Sequence, residues 1–212
     1  MPSKALEKYL SNYGSFSDPV LEPLKKIREM FDIKNVLYPG SWIHLTPSLV
    51  FPIVVYVDFF SKMESMFNDP ELLHYIYSNS ETTKKPTIKF HKTDYRKGIA
   101  EQKESFDLLI SLSGGFVSKY CSLYLKKNGI LFANNEHYDA IQAFVDEDFL
   151  PIGVFKSNRL LIQQPEHIQE YFVTKKNQVF TSEMVKENSK RSPSKAKYKL
   201  KKLAHYYLFK KQ

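Results

Sequence analysis

The chain has 212 residues, 42% of them hydrophobic and 15% aromatic, enough apolar material for one domain with a full core and too much for a disordered chain. Its net charge of +8 is unevenly spread: residues 175 to 212 hold 12 Lys+Arg against 2 Asp+Glu, which leaves the rest of the chain at −2, so the charge alone is no argument for nucleic-acid binding by the whole protein. The single cysteine, Cys121, excludes an internal disulfide and a cysteine-cluster zinc site.

No apolar stretch approaches membrane-spanning length. The densest, Leu49 to Phe60, is interrupted by Pro52 and Asp58. Met1 to Glu7 lacks the apolar core of a secretory signal, so the expectation is a soluble, cytoplasmic protein.

The first 31 residues read as helical. Val20, Leu24, Ile27 and Phe31 recur at helical spacing after Ser17-Asp18-Pro19, where Asp18 can cap and Pro19 can take the first helical position. Short continuous apolar runs then follow, at Asn35 to Tyr38, Ile53 to Val57, Thr87 to Phe90, Phe106 to Leu112 and Gly129 to Ala133. Runs this short suit buried parallel strands.

Helical segments separate these runs. Ser61 to Asn68 carries Met63, Met66 and Phe67, and Asp69-Pro70 restarts a helix with Leu72, Leu73, Ile76 and Tyr77 on one side. Phe116, Tyr120, Leu123 and Tyr124 form another stripe, with Asn128-Gly129 as its left-handed cap. A helix over Tyr138 to Val145 follows the fifth strand. Cys121 falls on the apolar side of the helix before it, which makes it a packed thiol.

After Asp148 the pattern predicts strands at Pro151 to Phe155, Arg159 to Gln163 and Tyr171 to Thr174. A polar stretch, 182–197, reads as a mobile basic loop at the end of a short helix, and His205 to Phe209 forms a closing aromatic strand. The expected architecture is a single α/β domain over residues 1–212. Its sheet is doubly wound, mostly parallel and Rossmann-like, with helices on both faces and an antiparallel C-terminal strand.

Two features carry the functional reading. Val36-Leu37-Tyr38-Pro39-Gly40-Ser41 is an apolar run opening into a glycine turn, and Val54-Val55-Tyr56-Val57-Asp58 is a second run ending on a carboxylate 18 residues after Gly40. Such a pair is found where an adenosine-containing ligand binds: the glycine lets the backbone approach the ligand and the acid accepts the ribose hydroxyls. The plainer alternative is a turn leaving a strand and an acid capping a strand end.

With the strands in place, the chain resembles a class I S-adenosylmethionine-dependent methyltransferase. Leu37 to Ser41 resembles the first-strand glycine motif, Tyr56-Val57-Asp58 the second-strand acid, Phe106 to Ser111 the fourth strand bordering the active site, and Leu125 to Leu131 the entry to the fifth. Tyr38-Pro39-Gly40-Ser41 and Thr46-Pro47-Ser48 are also similar to a little-characterised bacterial group of that superfamily.

The resemblance implies S-adenosylmethionine as cofactor. Tyr38, Gly40 and Ser41 would lie along its methionine part, Asp58 at the ribose, Asp94 at the adenine amino group with Tyr95 beside the ring, and Ser111 to Ser113 beneath the sulfonium. The loop from Ser41 to Pro52 departs from the family pattern. Pro47 and Pro52 leave room for little more than one helical turn, which Thr46 could cap.

Catalytic residues stay open. His44, His137 and Glu136 fall near the expected ligand end of the sheet as candidate bases. No HExxH or CxxC motif suggests a metal and no Gly-x-Ser-x-Gly elbow suggests a hydrolase. The alternatives to methyl transfer are a non-catalytic binding or scaffold module on the same fold and, less well supported, a nicotinamide-dependent oxidoreductase. The latter would need the missing G-x-G-x-x-G turn for its pyrophosphate. Lys190, Arg191, Lys195 and Lys197 form a basic patch that can contact an anionic partner such as RNA.

Overall fold

The computed structural model describes residues 1–14, 18–156, 159–162 and 165–212. Eight strands form one sheet: β1 (Asn35–Pro39), β2 (Ile53–Asp58), β3 (Thr87–Lys92), β4 (Phe106–Ser111), β5 (Leu125–Ala133), β6 (Phe149–Lys156), β7 (Arg159–Ile162) and β8 (Tyr206–Lys211). Their order is β3-β2-β1-β4-β5-β8-β6-β7. The first five are parallel, β8 runs antiparallel between β5 and β6, and β6 and β7 make a hairpin. This is the expected mostly parallel Rossmann-like sheet. Strand order reverses between β1 and β4, and that switch point opens a crevice at the carboxyl ends of the strands.

Alternation along the strands divides the core into two layers. Leu37, Val55, Val57, Leu109 and Leu131 face α6 (Val117–Cys121), α7 (Asp139–Phe144), α8 (Pro165–Gln169) and α9 (Ser182–Asn188), through Cys121, Ile141, Ile168 and Val185. Val36, Tyr38, Val54, Tyr56, Leu108 and Phe132 face the other side. There Tyr9, Leu24, Ile27, Phe67, Leu72 and Ile76 pack from α1 (Lys4–Tyr13), α2 (Leu21–Met30), α4 (Met63–Phe67) and α5 (Pro70–Asn79). A period of two along each strand thus serves helices on both faces.

Local signals place several helix starts. Asp69 accepts the Leu72 N–H at 2.9 Å with Pro70 in the first turn, and the Ser3 hydroxyl accepts from Leu6 at 3.2 Å.

Other expectations need correction. Asp18 does not cap α2, which starts at Leu21 behind Val20. Its Oδ1 closes the preceding turn by accepting the Val20 N–H at 3.0 Å, and its Oδ2 is used over a longer range. The Phe116-Tyr120-Leu123-Tyr124 stripe does not form, because the helix lasts only from Val117 to Cys121 and leaves Tyr120 and Leu123 exposed. Asn128 has the expected left-handed backbone, φ 65°. It sits inside β5, where Lys126 to Gly129 bulge between the Leu125–Phe106 and Ile130–Leu108 pairs.

Tyr171 to Thr174 is no strand. Its first residues close a 3-10 turn, and only the single bridges Val173–Val179 and Thr174–Leu200 follow. β3 is a sheet edge with alternating exposure, so it is not buried as its apolar run suggested. Gln163, expected in β7, lies outside the described residues. Residues 182–197, expected as a mobile loop at the end of a short helix, contain α9, and the rest carries a 3-10 turn at Pro193–Lys195. The Asn188 side chain pins this stretch by donating to Tyr198 O at 2.8 Å and accepting from Tyr198 N at 3.0 Å.

Candidate functional site

A cleft of about 610 Å³ opens at the switch point, within the range of small-molecule sites. Tyr38, Gly40, Asp58, Tyr95, Leu112, Ser113, Asn134 and Glu136 line it from the ends of the parallel strands. Tyr13, Asp18, Pro19 and Val20 enter from the N-terminal segment and Tyr206 from β8.

Gly40 is required by the fold. Its N–H donates to Val57 O at 2.8 Å and its φ is +66°. A β-carbon built on it would stand 2.9 Å from Gly114 Cα. The glycine therefore permits contact between the loops leaving β1 and β4, where the sequence suggested contact with a ligand. The Ser41 N–H is also turned to Val57 O, at 3.4 Å.

Asp58, 4% exposed, anchors the floor. Its Oδ2 accepts the Trp42 N–H at 2.9 Å and its Oδ1 the Phe60 N–H at 3.0 Å. Each oxygen keeps a second acceptor position. Trp42 is held with φ 46°, a conformation a bulky residue seldom takes. Beyond it, Phe59 and Phe60 stack at 4.6 Å on the rim and are more than half exposed.

The remaining predicted residues separate. Tyr95 is in the cleft wall, its hydroxyl donating to Gly114 O at 2.6 Å. Asp94 does not line the cleft. It caps the following 3-10 turn and pairs with Arg96 at 2.7 Å, which holds its carboxyl below the usual range. Ser111 is buried and donates to Asp139 Oδ2 at 2.5 Å, away from the cleft.

His44 lines the cleft with both ring nitrogens engaged. Nε2 lies 2.7 Å from Asp18 Oδ2 and Nδ1 3.0 Å from the Tyr38 hydroxyl. Tyr13 stacks on the ring at 4.1 Å. Thr46 does not cap the single turn of α3 (Pro47–Val50). Its hydroxyl goes to Asp18 Oδ2 at 2.5 Å and also meets Tyr9 OH at 3.2 Å. Burial pushes the Asp18 carboxyl up, but the bonds from His44 and Thr46 outweigh it and hold it below its ordinary value. This buried network ties the N-terminal segment to the glycine loop, and it leaves His44 no free nitrogen for use as a base. His137 is exposed and does not line the cleft.

Sequence reasoning missed Tyr13, Asp18 and Tyr206, whereas Asn134 fell at the expected ligand end beside Glu136. Asp18 was visible only as a local cap, and nothing in the sequence connects it to His44, 26 residues on. Cys121 is buried and burial pushes its thiol up, as suits a packed residue.

Two properties define the cleft chemically. Aromatic rings from Tyr13, Tyr38, Trp42, Phe59, Phe60, Tyr95 and Tyr206 surround the carboxylates of Asp18, Asp58 and Glu136, and the described lining residues include no lysine or arginine. Lys8 Nζ lies over the Trp42 ring at 4.7 Å. Carboxylates among aromatic faces suit an organic cation, whereas a pyrophosphate needs positive charge or free backbone N–H groups.

No family model matches the chain, and no curated protein does. Among solved structures it is similar to a methyltransferase from Geobacter sulfurreducens, at 15% identity over 71% of this chain and 81% of that one, with a TM-score of 0.49. It is also similar to the tRNA (m1A58) methyltransferase TrmI of Aquifex aeolicus, at 11% identity over 90% and 68%, TM-score 0.46. The YcgJ protein of Bacillus subtilis matches at 13% identity and a TM-score of 0.39, and the chain spans about half of it, 48%. The parallel order β3-β2-β1-β4-β5 followed by the inserted antiparallel β8 settles the architecture. The fold is Rossmann-like. No helix among the described residues is long and apolar enough to cross a membrane.

Proposed function

We propose that the cleft binds S-adenosylmethionine and that the protein transfers its methyl group to an acceptor. The observation that carries this is the composition of the cleft: a carboxylate at the end of β2 and a ring of aromatic side chains, with no lysine or arginine among the described lining residues. A sulfonium is an organic cation, and its attraction to aromatic faces and carboxylates strengthens as water is excluded.

The residues fit such a group in charge and in position. Asp58 would accept from the ribose hydroxyls with the lone pairs that Trp42 and Phe60 leave it. Trp42, Phe59 and Phe60 would flank the base, and Tyr38 and Tyr95 would wall the positive centre. S-adenosylmethionine, when bound, supplies an electrophilic methyl carbon on a positive sulfur. What this chain adds is positioning and desolvation, which account for much of the acceleration in a transfer that does not demand a strong base.

A nicotinamide-dependent oxidoreductase finds less support. The Gly40 and Ser41 N–H groups are turned to Val57 O and the described lining includes no lysine or arginine for a pyrophosphate. Those same inward-turned amides favour a second reading, a binding module on the same fold. The basic C-terminal stretch supports neither reading. Of the four expected contact residues, Arg191 and Lys197 pair with Glu187, whereas Lys190 and Lys195 are exposed and available to an anionic partner.

Calorimetric titration of the folded protein with S-adenosylhomocysteine tests the proposal. Saturable heat is expected. No heat at millimolar ligand overturns the cofactor reading and leaves the module.

A further inference from the structure

A second cavity of about 470 Å³, lined by Pro19, Asn134, Asn135, Glu136, His205 and Tyr207 among others, adjoins the cleft. It shares Pro19, Asn134, Glu136 and Tyr206 with the main cleft, so the two are lobes of one depression.

At the junction stands a built cluster. Ser113 has a left-handed backbone, φ 59°, a strained state for a residue other than glycine that persists only when its surroundings enforce it. Here Asn134 enforces it: Oδ1 accepts the Ser113 N–H at 3.1 Å and Nδ2 donates to Ser113 Oγ at 3.2 Å. The Ser113 hydroxyl in turn donates to Glu136. The result is an exposed carboxylate held in place where the lobes meet.

Glu136 is the only carboxylate among the described residues lining the second lobe, which also holds His205, and Pro19, Tyr206 and Tyr207 give that lobe apolar walls. A negative charge over apolar and aromatic surface selects a small amine with an apolar body, and disfavours a carboxylate or phosphate. We infer that the second lobe is the acceptor site and that it takes a small aromatic or alkyl amine whose nitrogen pairs with Glu136. This rests on the cofactor reading of the main cleft. In the transfer, the bound ammonium first gives a proton through Glu136 to water; the free-base nitrogen then bonds to the methyl carbon while the electrons of the breaking C–S bond stay on sulfur, and the product leaves as the methylated ammonium.

The experiment titrates 2-phenylethylamine, 2-phenylethanol and 3-phenylpropionate into the protein with and without saturating S-adenosylhomocysteine, followed by NMR shift changes. The amine is expected to bind about tenfold or more tighter than the alcohol, the equivalent of about 1.4 kcal/mol, and the acid not at all. Glu136→Gln should abolish the preference for the amine over the alcohol. Leu203→Lys, at an exposed rim position of the lobe, should weaken amine binding by repulsion without threatening the fold. Equal binding of amine and alcohol, no probe binding, or a preference that survives Glu136→Gln overturns the inference. Failure of S-adenosylhomocysteine to bind while the amine preference persists would instead overturn the cofactor reading alone.

Discussion

Gly40 and Gly114 touch where the loops leaving β1 and β4 cross, so close that a β-carbon on Gly40 would lie 2.9 Å from the Gly114 Cα. Gly40→Ala therefore meets two penalties, a positive φ and a backbone collision that no rotamer relieves. The loss is expected to be about 1–3 kcal/mol for the strained backbone alone, and more with the collision. Urea unfolding of the variant checks this, and a loss no greater than the backbone penalty of about 1–3 kcal/mol would show that the crossing contributes nothing.

The Asp18–His44 pair should appear in the acid limb of the stability curve. Asp18 is held below its ordinary value of 3.8. A depressed carboxyl adds stability that is fully present above the unfolded-state value and lost as pH falls through the folded one. The wild-type protein should therefore lose stability below about pH 4 more steeply than Asp18→Asn. At neutral pH the variant should be less stable by about 1–3 kcal/mol, the scale of hydrogen bonds made to a charged acceptor. Urea unfolding at neutral pH and through the acid range reads both effects, and parallel acid limbs would refute the assignment.

The difference between what the sequence showed and what it hid follows from range. Asp69-Pro70 foretold a helix start because a cap is a contact over three residues. Four of the five parallel strands, β1, β2, β4 and β5, were legible because burial on both faces demands continuous apolar runs, whereas β3 lies at the edge with alternating exposure. Asp18 has the same local signature as Asp69, and only tertiary structure decides that its second oxygen belongs to His44 and Thr46. Asn128 likewise announced a left-handed residue, but whether it ends a helix or bulges a strand depends on the register against β4. At the site, Gly40 and Asp58 were findable as residue types at strand ends. Their partners, Gly114 and the Trp42 and Phe60 amides, were not, since no local spacing encodes a loop crossing.

Asp58 should affect stability and ligand binding separately. Asp58→Ala leaves the Trp42 and Phe60 N–H groups without an acceptor, and each such group costs about 1–3 kcal/mol when fully buried; these sites are part-buried, which argues for the lower end. Asp58→Asn retains one acceptor oxygen and should lose less. Both variants should weaken S-adenosylhomocysteine binding by about tenfold or more, since each disturbs the acceptor for the ribose. Calorimetry beside urea unfolding separates the two roles. Lost stability with undiminished ligand affinity would mean that Asp58 serves only to pin the loops.

Asp139 should act with the opposite pH dependence to Asp18. Burial raises its carboxyl from 3.8 to about 6, although Ser111 and Ser118 donate to it. A carboxyl with a raised folded-state value binds its proton more tightly in the folded chain, so its contribution to stability declines as pH rises from about 4 to about 6 and is flat above that. A shift of this size corresponds to roughly 3 kcal/mol at most. Asp139→Asn keeps the neutral form's shape and an oxygen that can accept from Ser118, so it should lack that decline and match or exceed the wild type in stability at pH 7. Carbon-detected NMR titration of the Asp139 carboxyl should place its midpoint near 6, with urea unfolding between pH 4 and 7 reporting the slope. A midpoint in the ordinary carboxyl range, or a variant with the wild-type slope, would show that the two serine hydroxyls fully offset the burial.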